Sequence, residues 1–327
     1  MDRGHTLMFA LAITGPTASG KTSVSIATAK RIGAEIISCD SMQIYRGMDV
    51  GTAKATAEER ARARHHMLDL VSPTEDFSVD NYKRLAVECA RDITSRGAVP
   101  IFVGGTGLYI DALMRADAGE VPPSDREYRD KILSGIKSDE DVLALWQRLS
   151  EVDAESADLI HKNNVKRVIR ALEIYDKTGI PKSVLDRRTR EGRGEIDIGL
   201  LVLDYHNRET LYERIDRRVD VMADMGLVDE VRTLYTSGLL KEGTTAYQAI
   251  GYKELIGYIR GERSLSESLD EIKLASRRYA KRQLTWFRHE RDAVTLFMDD
   301  EDGKIRNTDD IIGEAYSFAE NWINSKR

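Results

Sequence analysis

Residues 15–22 read GPTASGKT and follow directly on the apolar run LMFALAIT. The spacing G-x-x-x-x-G-K-[ST] is that of a loop whose backbone N–H groups cradle phosphate oxygens, with glycines where the main chain must come close. Gly15, Pro16, Thr17, Ala18, Ser19 and Gly20 would form the cradle, and the following helix N-terminus would add the positive end of its dipole. Lys21 would reach the outer phosphate, and the Thr22 hydroxyl would hold Mg²⁺. A diphosphate or triphosphate is the expected ligand. It could be hydrolysed, could pass on a phosphoryl group, or could leave as diphosphate.

A second segment, CDSMQIYRGMDVGTAK (39–54), supplies an acid. Asp40 falls where a strand should end, so its carboxylate would enter the same crevice. As a residue it has three readings: an acid associated with Mg²⁺, a general base, or a turn aspartate capping a helix. His65 and His66 are adjacent, but nothing nearby has metal-ligand spacing, and the pair reads as structural, at a loop-to-strand junction. His161, His206 and His289 are scattered.

Basic residues are concentrated further along. From Lys162 to Arg190 there are nine basic residues against three acidic ones, in a chain whose net charge is −6. That asymmetry suggests contacts with a phosphate backbone, with a solvated helix face as the alternative. Arg214 and Arg218 stand four apart on one helix face. RRYAKRQLTWFRHE (277–290) mixes cations with Tyr279, Trp286 and Phe287. It could hold nucleic acid by charge and stacking or anchor diphosphate oxygens. The seven-residue spacing of Tyr279 and Trp286 favours core burial of the aromatics, leaving the arginines free.

The elements that must position these groups alternate. Apolar runs at 7–14, 34–40 and 99–105 read as strands, and Lys21 to about Arg31 and 81–97 as helices. This pattern predicts an α/β fold: a P-loop NTPase-like parallel sheet flanked by helices, with ligands beyond the carboxyl ends of the strands. The P-loop, Asp40 and Gly104-Gly105-Thr106 all fall at such ends. Residues 116–195 lack strand character and read as an inserted all-helical domain, leaving 1–115 and 196–327 as the catalytic core. Strand character returns at 198–204, and helical patterns then run to about Arg291. Residues 293–299 read as a last strand and 308–325 as a last helix.

The 327 residues, 41% hydrophobic and 32% charged, suit a folded globular protein rather than a disordered one. Two cysteines, Cys39 and Cys89, with no C-x-x-C pair, argue against a disulfide framework and a zinc module. No stretch is long enough to span a membrane, and a cytoplasmic, monomeric protein is expected.

GPTASGKT, DSMQIYRGMDVGTAK, HHMLD, FVGGTGLYI, RVIRALEIY, GYKEL and YAKRQLTWFR, in that order, resemble the tRNA dimethylallyltransferases over about residues 10–300. The resemblance implies transfer of a dimethylallyl group to the exocyclic N6 of the adenosine just 3′ of the anticodon. Dimethylallyl diphosphate is then the donor, and its diphosphate departs rather than being cut. Asp40 is implied as the base, and Thr106 as a residue orienting the amine. Thr17, Lys21, Mg²⁺ at Thr22, and Arg214 with Arg218 would act on the diphosphate.

Implied contacts with the tRNA anticodon stem-loop fall at Asp40, Ser41, Met42 and Gln43, at Lys166, Arg167, Val168, Ile169 and Arg170, and at Gln248, Ala249, Ile250, Gly251, Tyr252 and Lys253. Thr106 and Arg129 are single matching positions. The adenosine would have to leave its stack to reach the crevice, while the helical insertion grips the stem-loop by shape and charge. Some eukaryotic relatives carry an added C-terminal zinc finger, for which suitable Cys and His are lacking here. Two rivals remain: an adenylate isopentenyltransferase acting on free AMP, ADP or ATP, and an ATP-binding small-molecule kinase. The basic helix of the insertion favours tRNA over the first.

Overall fold

The computed structural model describes residues 8–116, 121–192, 194–290 and 292–327. Leu7, at the head of the expected first strand, and Arg291, at the end of the expected helical stretch, lie outside them. Six strands form one sheet: β1 (Met8–Thr14), β2 (Ala34–Ser38), β3 (His65–His66), β4 (Val99–Gly104), β5 (Ile196–Asp204) and β6 (Val294–Phe297). Their order is β3-β2-β4-β1-β5-β6, and every pairing is parallel. The P-loop strand β1 is therefore central, between β4 and β5. The one strand absent from the expected set is β3, which consists of the two histidines and extends the sheet beyond β2. Two residues are too few to leave a periodic signal.

The chain divides into two compact units. One comprises the chain up to Leu113 together with Ile196–Arg327, and the other Met114–Glu195. In the first unit the crossovers carry α1 (Lys21–Ile32), α2 (Ala57–Arg62), α3 (Val79–Ser95) and α4 (Gly107–Met114). The second unit holds α5 (Arg126–Gly135), α6 (Asp139–Val152), α7 (Ala154–Leu159), α8 (Val165–Thr178) and α9 (Lys182–Glu191). The first resumes with α10 (Arg208–Asp224), α11 (Leu227–Thr236), α12 (Lys253–Ile259), α13 (Leu265–Phe287) and α14 (Thr308–Lys326).

Strand alternation sends Leu11, Ile13, Ile36, Ile101, Leu201 and Leu203 to one face of the sheet. There they pack with Val24, Ile26 and Ala29 of α1 and Ile311, Ala315, Ala319 and Ile323 of α14. Helix α3 begins two residues before the periodicity suggests, because Ser78 caps it by accepting from Asn81 N–H. Its Tyr82 is fully buried, donates to Ser38 O at 3.0 Å and stacks on Tyr109.

A separate core under the second half of this unit joins Ile44, Tyr45 and Met48 to Leu227, Val231, Tyr252 and Leu255. The helical unit has its own core of Leu149, Ala157, Ile160, Val168, Ala171 and Leu172. Its α6 is started by a reciprocal cap between Ser138 and Asp141.

Candidate active site

The loop after β1 turns back over the end of the sheet. Gly15 has φ +142°, and a Cβ there would lie 2.4 Å from Leu203 O, so only glycine fits. Ser19 N–H donates to Pro16 O at 3.3 Å, and Gly20, also at positive φ, leads into α1. The Lys21 ammonium folds back on its own loop, donating to Gly15 O at 3.0 Å and Pro16 O at 2.6 Å. From α10, Arg214 Nε donates to Ala18 O at 3.2 Å.

Gln283 of α13 joins this loop to the end of β4. Its Oε1 accepts from Thr17 N–H at 3.0 Å and its Nε2 donates to Gly105 O at 2.8 Å. A Cβ on Gly105 would sit 2.0 Å from Gln283 Nε2, so any side chain there would displace this bridge. The ends of β2 and β4 are tied as well: Cys39 N–H donates to Val103 O at 2.7 Å, and Thr106 N–H to Cys39 O at 3.3 Å.

These ties place Asp40, the P-loop, Arg214 and Arg218 around one cleft of about 1020 Å³, whose residues all belong to the α/β unit. One carboxylate oxygen of Asp40, Oδ1, accepts from Met42 N–H at 2.8 Å. The other has no hydrogen-bond partner among the described residues. Thr106 Oγ1 accepts from Ser41 N–H at 3.1 Å and lies 3.4 Å from the Ser41 hydroxyl.

Two cations here are held against their ordinary charge. Burial first, and then the Arg218 charge beside it, lower the Lys21 ammonium to about 7, with Asp40 opposing the shift. Burial likewise lowers the Arg218 guanidinium, again opposed by Asp40. Arg218 has no hydrogen-bond partner among the described residues. Two desolvated cations with the single Asp40 carboxylate beside them leave positive charge in excess, so this geometry favours a multiply charged anion.

The implied acceptor segments divide. Gln43 is spent within its own loop, accepting from Ser38 Oγ at 2.8 Å and donating to Thr52 O and Ala53 O. Gln248, Ala249, Ile250, Gly251, Tyr252 and Lys253 all line the cleft. Ala249 and Tyr252 are nevertheless buried, so their side chains serve packing and the exposed edge is formed by their neighbours.

In the helical unit, Val168 and Ile169, within the implied tRNA contact at 166–170, are each 1% exposed, so their side chains pack inside the protein. Helical periodicity turns these two inward. Arg129 and Arg170 converge on the fully buried Glu173, at 2.9 and 3.0 Å, and Arg170 also donates to Pro122 O. Lys166 and Arg167 are exposed and have no side-chain partner among the described residues.

Tyr279 also departs from expectation. It lines the cleft instead of the core, and burial first, then the Asp40 charge, raise its phenol to about 12. Gln283 went unnoticed in the sequence, although a lone amide between Ala280, Leu284 and Phe287 on the buried stripe of α13 was the available signal.

Fold and site together define a P-loop-type α/β protein whose anion cradle faces a carboxylate. The chain belongs to the IPP transferase family, whose model matches residues 43–290. A tRNA dimethylallyltransferase of Geobacillus thermodenitrificans is 49% identical over 278 residues, covering 85% of this chain and 87% of the relative. The crystal structure of the full-length tRNA isopentenylpyrophosphate transferase of Bacillus halodurans superposes with a TM-score of 0.71 at 41% identity, covering 97% of both chains. A eukaryotic dimethylallyltransferase, crystallised in a study of its action on tRNA, matches with a TM-score of 0.82 at 27% identity, covering 98% of this chain and 80% of that one.

Proposed function

We propose that this chain transfers the dimethylallyl group of dimethylallyl diphosphate to N6 of the tRNA adenosine immediately 3′ of the anticodon, releasing diphosphate. The observation that carries this reading is the pair of desolvated cations, Lys21 and Arg218, in one cleft with a carboxylate one of whose oxygens has no hydrogen-bond partner among the described residues. The N6–C bond forms as the allylic C–O bond breaks. The amine proton goes to Asp40, and the bond's electrons leave on diphosphate. Charge grows on the departing oxygens, where the loop N–H groups, Lys21, Arg214 and Arg218 are most useful. Thr106 and Ser41 would orient the adenine edge.

The donor set also suits Mg²⁺. Mg²⁺ is commonly held by one or two protein oxygens together with substrate phosphates. The Thr22 hydroxyl, which lines the cleft and has no hydrogen-bond partner among the described residues, would supply one of them. When bound, the ion adds positive charge beside the leaving group.

Lys166 and Arg167 would take phosphates of the anticodon stem-loop, which favours tRNA over a free nucleotide as acceptor. A cytoplasmic monomer fits this reading, and no described helix is long and apolar enough to cross a membrane. The test is mass spectrometry of nucleosides after incubating unmodified tRNA with dimethylallyl diphosphate and Mg²⁺. N6-dimethylallyladenosine beside the anticodon is expected. Prenylated AMP with unmodified tRNA would establish the free-nucleotide activity instead, and phosphate transfer from ATP a kinase.

A further inference from the structure

Glu230 of α11 takes four hydrogen bonds on one carboxylate. Oε2 accepts from the main-chain N–H groups of Asp49 at 2.9 Å and Val50 at 2.7 Å. Oε1 accepts from Gly51 N–H at 3.0 Å and from the Tyr252 hydroxyl at 2.6 Å. Successive N–H groups turned to one point make a nest of the kind that binds anions. Here the protein fills the nest with its own side chain. Burial, and then the Glu230 charge, raise the Tyr252 phenol far above its ordinary value, keeping it a donor. Gly51 lies directly on that ring, where a Cβ would come within 2.5 Å.

The two segments joined in this way both border the cleft. Gln43 Nε2 donates to Thr52 O at 3.2 Å and Ala53 O at 3.3 Å, so the course of Asp40–Gln43 depends on the turn that Glu230 holds. Buried Lys54 fixes the far end of that turn through Asp49 and Asp69, at 2.5 and 2.6 Å. Tyr252 belongs to the stretch 248–253 on the other wall. The donor loop is fixed separately, by Gln283.

We infer that Glu230 is a positioning residue for the acceptor: it sets the spacing between the Asp40–Gln43 segment and residues 248–253 without touching substrate. This rests on the acceptor reading proposed above. A carboxylate with four donors offers no free lone pair to a ligand of its own, which excludes a direct binding role. Losing its charge leaves three N–H groups facing an amide that can satisfy only some of them.

The test compares wild type with Glu230→Gln and with the milder Tyr252→Phe. Steady-state kinetics are measured on an anticodon stem-loop and dimethylallyl diphosphate, alongside hydrogen exchange of the amides of residues 49–51. In Glu230→Gln the amides should exchange faster, and the stem-loop KM should rise about tenfold, the worth of one hydrogen bond to a charged group. The KM for dimethylallyl diphosphate should move less than twofold. Tyr252→Phe should shift the same quantities in the same direction by less. Equal rises in both KM values, an unchanged stem-loop KM, or unchanged exchange would overturn the inference. Wild-type protein that never prenylates the stem-loop, while Glu230→Gln still frees the amides, would instead remove the proposed function and, with it, the acceptor role.

Discussion

The cations of the α/β cleft and those of the helical unit are the same residue types under opposite regimes. In the cleft, Lys21 donates to the main-chain carbonyls of Gly15 and Pro16, Arg214 Nε donates to that of Ala18, and Arg218 has no hydrogen-bond partner among the described residues. In the helical unit, Arg129 and Arg170 share buried Glu173, Arg148 pairs with Asp176, Lys177 with Asp125, and Arg187 with Glu155. Carbonyl dipoles leave most of a cation's charge uncompensated, whereas a carboxylate cancels it. The cleft cations are therefore poised for a ligand, while most of those in the helical unit are structural. Lys166 and Arg167 are among the exposed cations of that unit with no side-chain partner among the described residues, and a count of basic residues could not separate them from the paired ones.

The largest expected effect lies on the cleft side. Asp40→Asn preserves the hydrogen bond from Met42 but cannot take a proton, so the single-turnover rate should fall by about 10²–10⁴-fold with both KM values nearly unchanged. Substantial rescue by excess Mg²⁺ or Mn²⁺ would make Asp40 a metal ligand instead.

Next comes the structural cluster of the helical unit. Glu173→Gln strands two arginines, and because both are partly exposed the cost should fall at the low end for a broken buried pair, about 3 kcal/mol by denaturant unfolding. Burial raises the Glu173 carboxyl. Hydrogen bonds from Asp125 N–H, Arg129 and Arg170 outweigh that and hold it below the ordinary 4.5. Its stabilisation is thus fully present above 4.5 and is lost as pH falls through the depressed value. Wild type should lose stability more steeply than Glu173→Gln in that acid range, and parallel pH curves would contradict the assignment.

A smaller effect separates free from paired cations. Reversing Lys166 and Arg167 to Glu should weaken stem-loop binding and reduce the slope of log K against log salt by about two. An unchanged slope would make them a solvated face. Arg170→Lys should leave the slope alone but lower stability, since lysine cannot serve both Glu173 and Pro122 O.

Local signals carried much of the fold. The P-loop spacing placed β1, the turn and α1 together, and apolar runs located β2, β4, β5 and β6 because buried parallel strands are nearly continuous in apolar residues. Two-residue β3 has no such run and exists only by pairing with β2. Asp40 and the loop residues were legible because their types and spacing are dictated by local geometry. Gln283, Glu230 and Lys54 were not, since each acts on chain segments that only the fold brings near. The burial of Val168 and Ile169 was readable from period 3.6, yet a resemblance over a contiguous string hides which face each residue takes.

The contrast between waiting and satisfied cations is tested most directly by proton counting. Lys21 sits near 7 in the free protein, so at pH 8 it is mostly neutral, and a bound diphosphate should restore its charge. Donor affinity should accordingly weaken as pH rises through about 7. Calorimetric titration with dimethylallyl diphosphate at pH 8, in buffers of differing ionisation enthalpy, should show close to one proton taken up by wild type and none by Lys21→Met. No uptake by wild type, or the same uptake by Lys21→Met, would contradict the view that a desolvated lysine awaits the diphosphate.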